Sequence, residues 1–263
     1  MTALQTVDTF VSANKAPSNR TVQELQEVFD HWFEVIPADT PELEKESFRL
    51  RYQVYCVENE FEDPADNPDG LETDFYDQHS VHSLLIHRLT GDVAGSVRLV
   101  LPRLDEPNGG LPIHQVCSEP EIRDESILPL ATTAEISRFA ISKQFRRRRE
   151  DGTYPNMAIG MPGHHSAEER RMLPHMTLGL LKGVMQMSHA NGITHWSAVL
   201  EPALLRLLSR MGLHLNPIGP IVSYHGRRQS AYADIAKLAV RTRLERPDVW
   251  ELCSDYGRLL PNS

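Results

Sequence analysis

The chain has 263 residues, 40% apolar and 24% charged, with a formal net charge of −9. That length builds one large domain or two small ones, and the acidic balance argues against a nucleic-acid partner. No window approaches the ~18–20 uninterrupted apolar residues of a membrane span.

The first twenty residues carry no charged-then-apolar signal pattern and read as a loose polar arm. Thr21, with Glu24 three residues on, has the capping-box spacing and predicts a helix to about His31. WFEVIPA (32–38) alternates as a first strand. Thr40-Pro41-Glu42 opens a second helix through about Val57. On it Phe48, Leu50, Tyr52, Val54, Tyr55 and Val57 cover much of the circumference, so it should be largely buried. Residues 58–79 form an acidic loop rich in Pro, Asn, Asp and Gly. Next, HSLLIHRL (82–89), the turn TGD (90–92) and VAGSVRLVLP (93–102) make a hairpin signal.

Residues 103–131 are loop-like with one short helix, and TTAEISRFAISKQF (132–145) is a strong strand. Residues 146–174 mix Pro, Gly, His and charge without a period. Connections of that length are usually functional or disordered. A helix over His175–Ala190 ends at Asn191-Gly192, and ITHWSAVL (193–200) is a strand. EPALLRLLSRMG (201–212) starts with proline and stops at glycine as a short helix. The last strands follow, then a helical segment divided by Pro247. This order predicts one mixed α/β domain, a central mixed sheet with helices on both faces. An arm spans 1–20, the main domain 21–232 with the long loop 146–174, and a helical tail 233–263.

Cys56, Cys117 and Cys253 are odd in number and lack CxxC spacing, which points to a reducing cytoplasm and no structural zinc. Twelve histidines include no HExxH, and the His79–His82 spacing reads as polar surface or hydrogen-bonding positions rather than metal ligands.

Ionic side chains stand inside segments that otherwise read as core strands. Arg98 lies between Val97 and Leu99 and faces opposite to both. By the same alternation Glu135, Ser137 and Phe139 share one face of their strand, and Ile136, Arg138 and Ala140 the other. Just upstream, Glu72, Asp74 and Asp77 crowd within six residues. A buried carboxylate needs a partner, so Asp77 is expected to pair with Arg98 or Arg138.

These features together (a buried helix with LRYQVYCVE, a loop ending ExDxxD, then the strands GSVRLVLP and EISRFAIS) resemble the acyl-homoserine-lactone (autoinducer) synthases. They are more similar still to long-chain N-acyl amino acid synthases, including acyltransferases associated with PEP-CTERM/exosortase systems. The resemblance covers about residues 45–225 and rests on the ordered set Arg51, Glu72, Asp74, Asp77, Arg98, Glu135, Ser137 and Arg138. It implies a GNAT-type acyltransferase fold and transfer of a fatty acyl group from a carrier thioester to an amine. It also implies a donor cleft between the strands and no tightly bound cofactor beyond acyl-ACP or acyl-CoA as co-substrate. The glycine turn with which CoA-using members hold the pyrophosphate is missing after Phe145, which favours an acyl carrier protein as donor.

Aminolysis of a thioester needs a neutral amine in line with the carbonyl, and stabilisation of the carbonyl oxygen. Glu72, Asp74 and Glu135 are the candidate bases, one of them tuned upward by its crowded neighbours. Arg51, Asp77, Arg98, Ser137 and Arg138 brace the site, and an arginine is suited to gripping a substrate carboxylate. The pantetheine amides dock by strand addition, which predicts splaying between EISRFAIS and ITHWSAVL. Leu101, Phe139, Met176, Leu180, Met185 and Trp196 are candidates to line the acyl groove. Arg146, Arg147, Arg148 and Arg149, with Arg170 and Arg171, and with Arg227 and Arg228 beside them, suit docking of an acidic carrier protein. His164 and His165 read as incidental loop residues. The alternatives are an acyl-homoserine-lactone synthase using S-adenosylmethionine and a non-catalytic acyl-binding module of the same fold.

Overall fold

The computed structural model describes residues 19–146, 169–224 and 226–261. Seven strands form one mixed sheet in the order β1-β2-β3-β4-β5-β7-β6. They are β1 (Phe33–Pro37), β2 (Ser80–His87), β3 (Val93–Val100), β4 (Thr133–Ile141), β5 (His195–Leu200), β6 (Asn216–Ser223) and β7 (Arg227–Asp234). Strands β1 to β4 are antiparallel neighbours, β4 and β5 are parallel, and β7 runs antiparallel to both β5 and β6.

Helices cover both faces. On one lie α1 (Asn19–Trp32), α4 (Glu169–Ala190), α5 (Pro202–Arg210), α6 (Ile235–Glu245) and α7 (Pro247–Ser254). Their apolar stripes meet the inward residues of the strands in the main core, which holds Phe29, Val97, Leu99, Met176, Leu180 and Trp196 among others. The other face carries α2 (Pro41–Tyr52) and the loops around the single turn α3 (Ile113–Val116). Here Leu50 and Val54 pack on Ala140, and Leu111, Ile113 and Leu128 pack on Val100. Helix α4 lies close on β2 because Gly179 and Gly183 carry no side chain. A Cβ at 183 would stand 2.4 Å from the Ser83 hydroxyl, and one at 179 would stand 2.6 Å from Leu85.

Local chemistry accounts for most boundaries. Thr40 caps α2 by accepting the Leu43 N–H, with Pro41 at the first helical position. The helix then loosens into a π-helical turn over Gln53–Glu58. Four expectations change. Helix α1 already includes Asn19 and Arg20, so Thr21 lies within it rather than capping it. Strand β4 ends at Ile141, and Lys143–Arg146 make a 3₁₀ turn. Helix α4 includes Glu169–Pro174, six residues expected in the loop; Pro174, in the second turn, removes one i→i−4 hydrogen bond from the helix. Finally, β7 continues to Asp234, and Ile235, Leu238, Val249, Leu252 and Cys253 enter the main core, so the last segment shares that core. All three cysteines are buried free thiols. Among the described residues no helix is long and apolar enough to cross a membrane.

Candidate active site

The site forms on the α2 face of β3 and β4. Arg98 rises from β3 and is 1% exposed, while Val97 and Leu99 point into the main core as alternation requires. The loop after α2 is tied to that helix by the Glu72 N–H donating to the Phe48 carbonyl. It then turns through a short 3₁₀ helix, Phe75–His79, with a reciprocal cap. Asp74 accepts the Tyr76 N–H at 2.8 Å, and Asp77 accepts the Asp74 N–H at 2.8 Å. The two aspartates thus build the turn that presents them.

Three arginines bind the three carboxylates. Arg51 donates to Glu72 through Nε and to both oxygens of Asp77, at 2.7 and 3.0 Å. Arg98 donates to Asp74 at 2.6 Å, to Asp77 at 2.9 Å and, through Nε, to the Ser137 hydroxyl at 2.9 Å. Arg138 donates to Glu72 at 2.7 Å and approaches Asp74 at 3.1 Å and Glu62 at 3.4 Å. Asp77 therefore pairs with Arg51 as well as Arg98, and Arg138 serves Glu72 and Asp74. The partner of Asp77 comes from α2, an element 26 positions away, which strand alternation alone does not address.

The paired arginines decide the titration. Burial pushes Glu72, Asp74 and Asp77 up, but arginine charges and hydrogen bonds outweigh it and hold all three below the ordinary carboxylate range. Such carboxylates are weak bases. His82 lies beside Asp77 at 3.6 Å, is only 2% exposed and packs edge-on against Phe48. Burial and the nearby arginines lower it to about 4, so it is neutral; it is a buried residue rather than a surface one.

Glu135 behaves oppositely. It is 3% exposed, and burial pushes its carboxyl up to about 8 against the Ile113 N–H, which donates to Oε2 at 2.6 Å, and the charge of Arg98. Crowding by Asp74 contributes, but burial is the leading cause. Of the three candidate bases, Glu135 alone is tuned toward neutrality.

The strict alternation expected of β4 fails at Arg138. Its φ is 47°, in the left-handed region that a side chain enters at a cost. Ser96 pairs with Ala140 but Arg98 pairs with Ser137, so Val97 opposes both Arg138 and Phe139. This β-bulge turns Arg138 to the Glu72 side and Phe139 toward the main core, and it puts Ala140 back on the α2 face.

Beside the bulge the sheet opens. Pairing of β4 with β5 runs from Thr133–His195 to Ile136–Ala198 and stops. Beyond it, among the described residues, the β5-facing edge of Ser137–Ala140 has no strand partner. A cleft of about 200 Å³ fills the gap, lined by Tyr55, Tyr76, Glu135, Phe139, Val199 and Arg228 among others. Splaying was expected here. Arg98, Asp74, Ser137 and Arg138 also face the cleft. Glu72, Arg51 and Asp77 stand behind it as bracing.

The acyl-groove candidates divide. Phe139 lines the cleft. Met176, Leu180 and Trp196 are 0–1% exposed and Met185 is 6% exposed; all four sit in the main core and Leu101 packs against it, and none lines the cleft. Helical and strand periods mark these residues as inward-facing but not toward which space, and the Trp196 N–H is satisfied by Ser188 at 2.8 Å. Arg147–Arg149, His164 and His165 lie outside the described residues, as do the side chains of Arg146, Arg170 and Arg171. Arg228 was expected only as part of a docking patch. It lies in the cleft instead, with its guanidinium 3.3 Å from Glu201 and stacked over Phe61. Tyr55, Phe61 and Tyr76 were missed as cleft residues. Their only signal was aromatic rings bordering the acidic loop. Among the described residues no group of His, Cys, Asp and Glu is arranged to hold a metal ion.

Comparison with known proteins bears on the fold. Residues 50–153 match the model of the acetyltransferase (GNAT) domain, the segment carrying β2 to β4 and the ionic network. The described residues have a mixed α/β, GNAT-like fold. It is similar to TofI, solved in a ternary complex with an inhibitor and MTA (18% identity over 81% of this chain and 95% of that one, TM-score 0.54). It is similar to the AHL synthase LasI (18% identity, 76% and 88% covered, TM-score 0.50). A third similar structure is BjaI, a CoA-dependent acyl-homoserine lactone synthase solved with MTA (20% identity, 88% and 91% covered, TM-score 0.51). Identities at this level speak for the fold alone. A search of curated proteins gives no match.

Proposed function

We propose that this chain is an N-acyltransferase that moves a fatty acyl group from a carrier thioester, on an acyl carrier protein, to the amine of an amino acid or similar small molecule. The observation that carries the reading is the placement of Glu135: a buried carboxyl, raised to about 8, at the point where β4 and β5 part.

A base is most effective when its pKa lies near the working pH. An α-ammonium group loses its proton at ~7.7–8.0 in solution, so transfer to Glu135 is close to balanced. The freed amine attacks the thioester carbon, the C–N bond forms and the C–S bond breaks; the proton held by Glu135 neutralises the departing thiolate, and the carboxylate so regenerated takes the second proton from nitrogen as the neutral amide forms. The β5-facing edge of β4 over Ser137–Ala140 offers backbone groups to the pantetheine amides, and Phe139 and Leu204 give the cleft an apolar wall. The carboxylates fixed by Arg51, Arg98 and Arg138 keep their charge and position throughout, because each is already paired in the resting enzyme. The carrier preference rests on the arginine run and the missing glycine turn in the sequence.

The test is mass spectrometry of lipid extracts from cells expressing the chain or its Glu135→Gln variant. A new amphiphile, with a fatty acyl group amide-linked to an amino acid, should accumulate with the first and fall at least ~100-fold with the second. Equal amounts from both, or no acylated amine from either, would overturn the reading. A homoserine-lactone head group would shift it to the sister reaction.

A further inference from the structure

A second cavity, of about 110 Å³, lies behind the site, on the same sheet face but under the α3 loops. Its floor is formed by Thr133 and Ser197, the residue two before Glu135 on β4 and the residue paired with Glu135 on β5. Its wall is Ile113, the residue whose N–H holds the Glu135 carboxylate. The cavity therefore touches the residue whose N–H holds the Glu135 carboxyl and the β5 residue paired with Glu135, and shares no lining residue with the cleft.

Two of the residues that line it carry a buried polar atom with no protein partner. Ser197 is 0% exposed and its hydroxyl makes no hydrogen bond, and the same holds for Nδ1 of His114, a half-buried ring. The large majority of buried side-chain polar atoms have a hydrogen-bond partner, so two orphans on one cavity mark a place built for a polar occupant. The Thr133 hydroxyl is already donated to the Pro129 carbonyl. At the exposed mouth stand Asn108, Arg123 and Glu125. Neither Arg123 nor Glu125 makes an ion pair among the described residues. Burial and the charge of Arg123 lower the pKa of His114 and favour its neutral form.

We infer that this cavity is a binding site for a small α-amino acid. Its carboxylate would face the Ser197 hydroxyl, the His114 ring and Arg123, and its ammonium would face Glu125. A bare anion would meet the repulsion of Glu125, and a bare cation that of Arg123; a zwitterion with its charges one carbon apart meets neither. Occupancy presses on Ile113 and so bears on the carboxylate that Ile113 holds. The inference stands on the cavity and its unpaired groups, not on the acyl-transfer reading.

Amide spectra of the ¹⁵N-labelled full chain, titrated with glycine, acetate and methylammonium, provide the test. Glycine should shift the amides of Ile113, His114 and Ser197; acetate should do so several-fold more weakly, and methylammonium not at all. Arg123→Ala, a change at an exposed position, should raise the glycine Kd at least ~10-fold, as for loss of one charged hydrogen bond. Ser197→Val, which fills the floor, should abolish the response. No shift with any probe would mean a cavity holding water alone and would overturn the inference. So would shifts confined to Ser137 and Phe139 in the cleft, or a Kd indifferent to Arg123. The acyl-transfer reading is decided separately, by the lipid product.

Discussion

Arg138 on β4 holds Glu72, a residue 66 positions earlier in the chain, through Nε at 3.0 Å and Nη2 at 2.7 Å. It does so from a left-handed backbone, within a bulge that leaves one residue of β3 facing two of β4. The strain and the ion pair belong to one device: the bulge turns the guanidinium to the carboxylate side and at the same point releases the strand from its neighbour.

Removing Arg138 should therefore be costly. Glu72 is 2% exposed and would keep only Arg51. Breaking one side of a buried ionic set costs about 3–5 kcal/mol when a charge is left unpaired; with Arg51 remaining, Arg138→Ala should lose roughly 2–3 kcal/mol in urea unfolding. Arg138→Lys should recover less than half, because a point charge does not reproduce the guanidinium fork. Arg138→Gly should be less damaging than Ala by about 1 kcal/mol, since glycine accepts φ 47° freely.

Acid should unfold the protein through this network. Glu72, Asp74 and Asp77 all titrate below their unfolded values. The stability they contribute is present above pH ~4 and is lost as pH falls through the folded values. Asp77→Asn should lower stability at pH 7 and flatten the acid limb of the Tm-versus-pH curve. A variant with an unchanged acid slope would show that Asp77 does not carry this linkage.

Glu135 should give the opposite slope. Its folded value of about 8 lies above the ordinary glutamate value of 4.5, so the folded state binds the extra proton between those limits. Stability from this group is full below pH ~4.5 and lost as pH rises to about 8. At 1.36 kcal/mol per unit the loss is at most roughly 5 kcal/mol. Glu135→Gln should be near neutral for stability at pH 5 and more stable than the parent at pH 9, by thermal unfolding at both. The rate of acyl transfer in the parent should rise with pH up to about 8, as the base is freed.

The gap between β4 and β5 is the proposed entry for the donor. Val199 faces it, is part-exposed, and is paired with Ser230 on β7 rather than with β4. Val199→Trp should fill the gap and raise the KM for the thioester at least ~10-fold, with Tm shifted by no more than a few degrees. Unchanged kinetics would move the donor elsewhere.

How far the sequence reaches is visible strand by strand. Arg98 between Val97 and Leu99 is readable as a charge turned away from the core, because period-two alternation is local geometry. The same rule misplaces Arg138, Phe139 and Ala140, because a bulge is decided by the partner strand. Met176, Leu180 and Trp196 are correctly marked as apolar and inward, yet burial alone does not distinguish a core from a substrate groove.

From residue order alone came a mixed α/β layout and an acidic loop beside two arginine-bearing strands, which follow from short-range periodicity, turn chemistry and the need of buried charges for partners. The parting of β4 from β5 was expected from the family resemblance and the way a pantetheine arm pairs with a strand edge. Only the folded chain decided which arginine meets which carboxylate, and that Glu135, not Glu72 or Asp74, carries a proton near neutral pH. Both depend on distances between segments tens of residues apart and on how completely water is excluded, and neither quantity is set by neighbours along the chain.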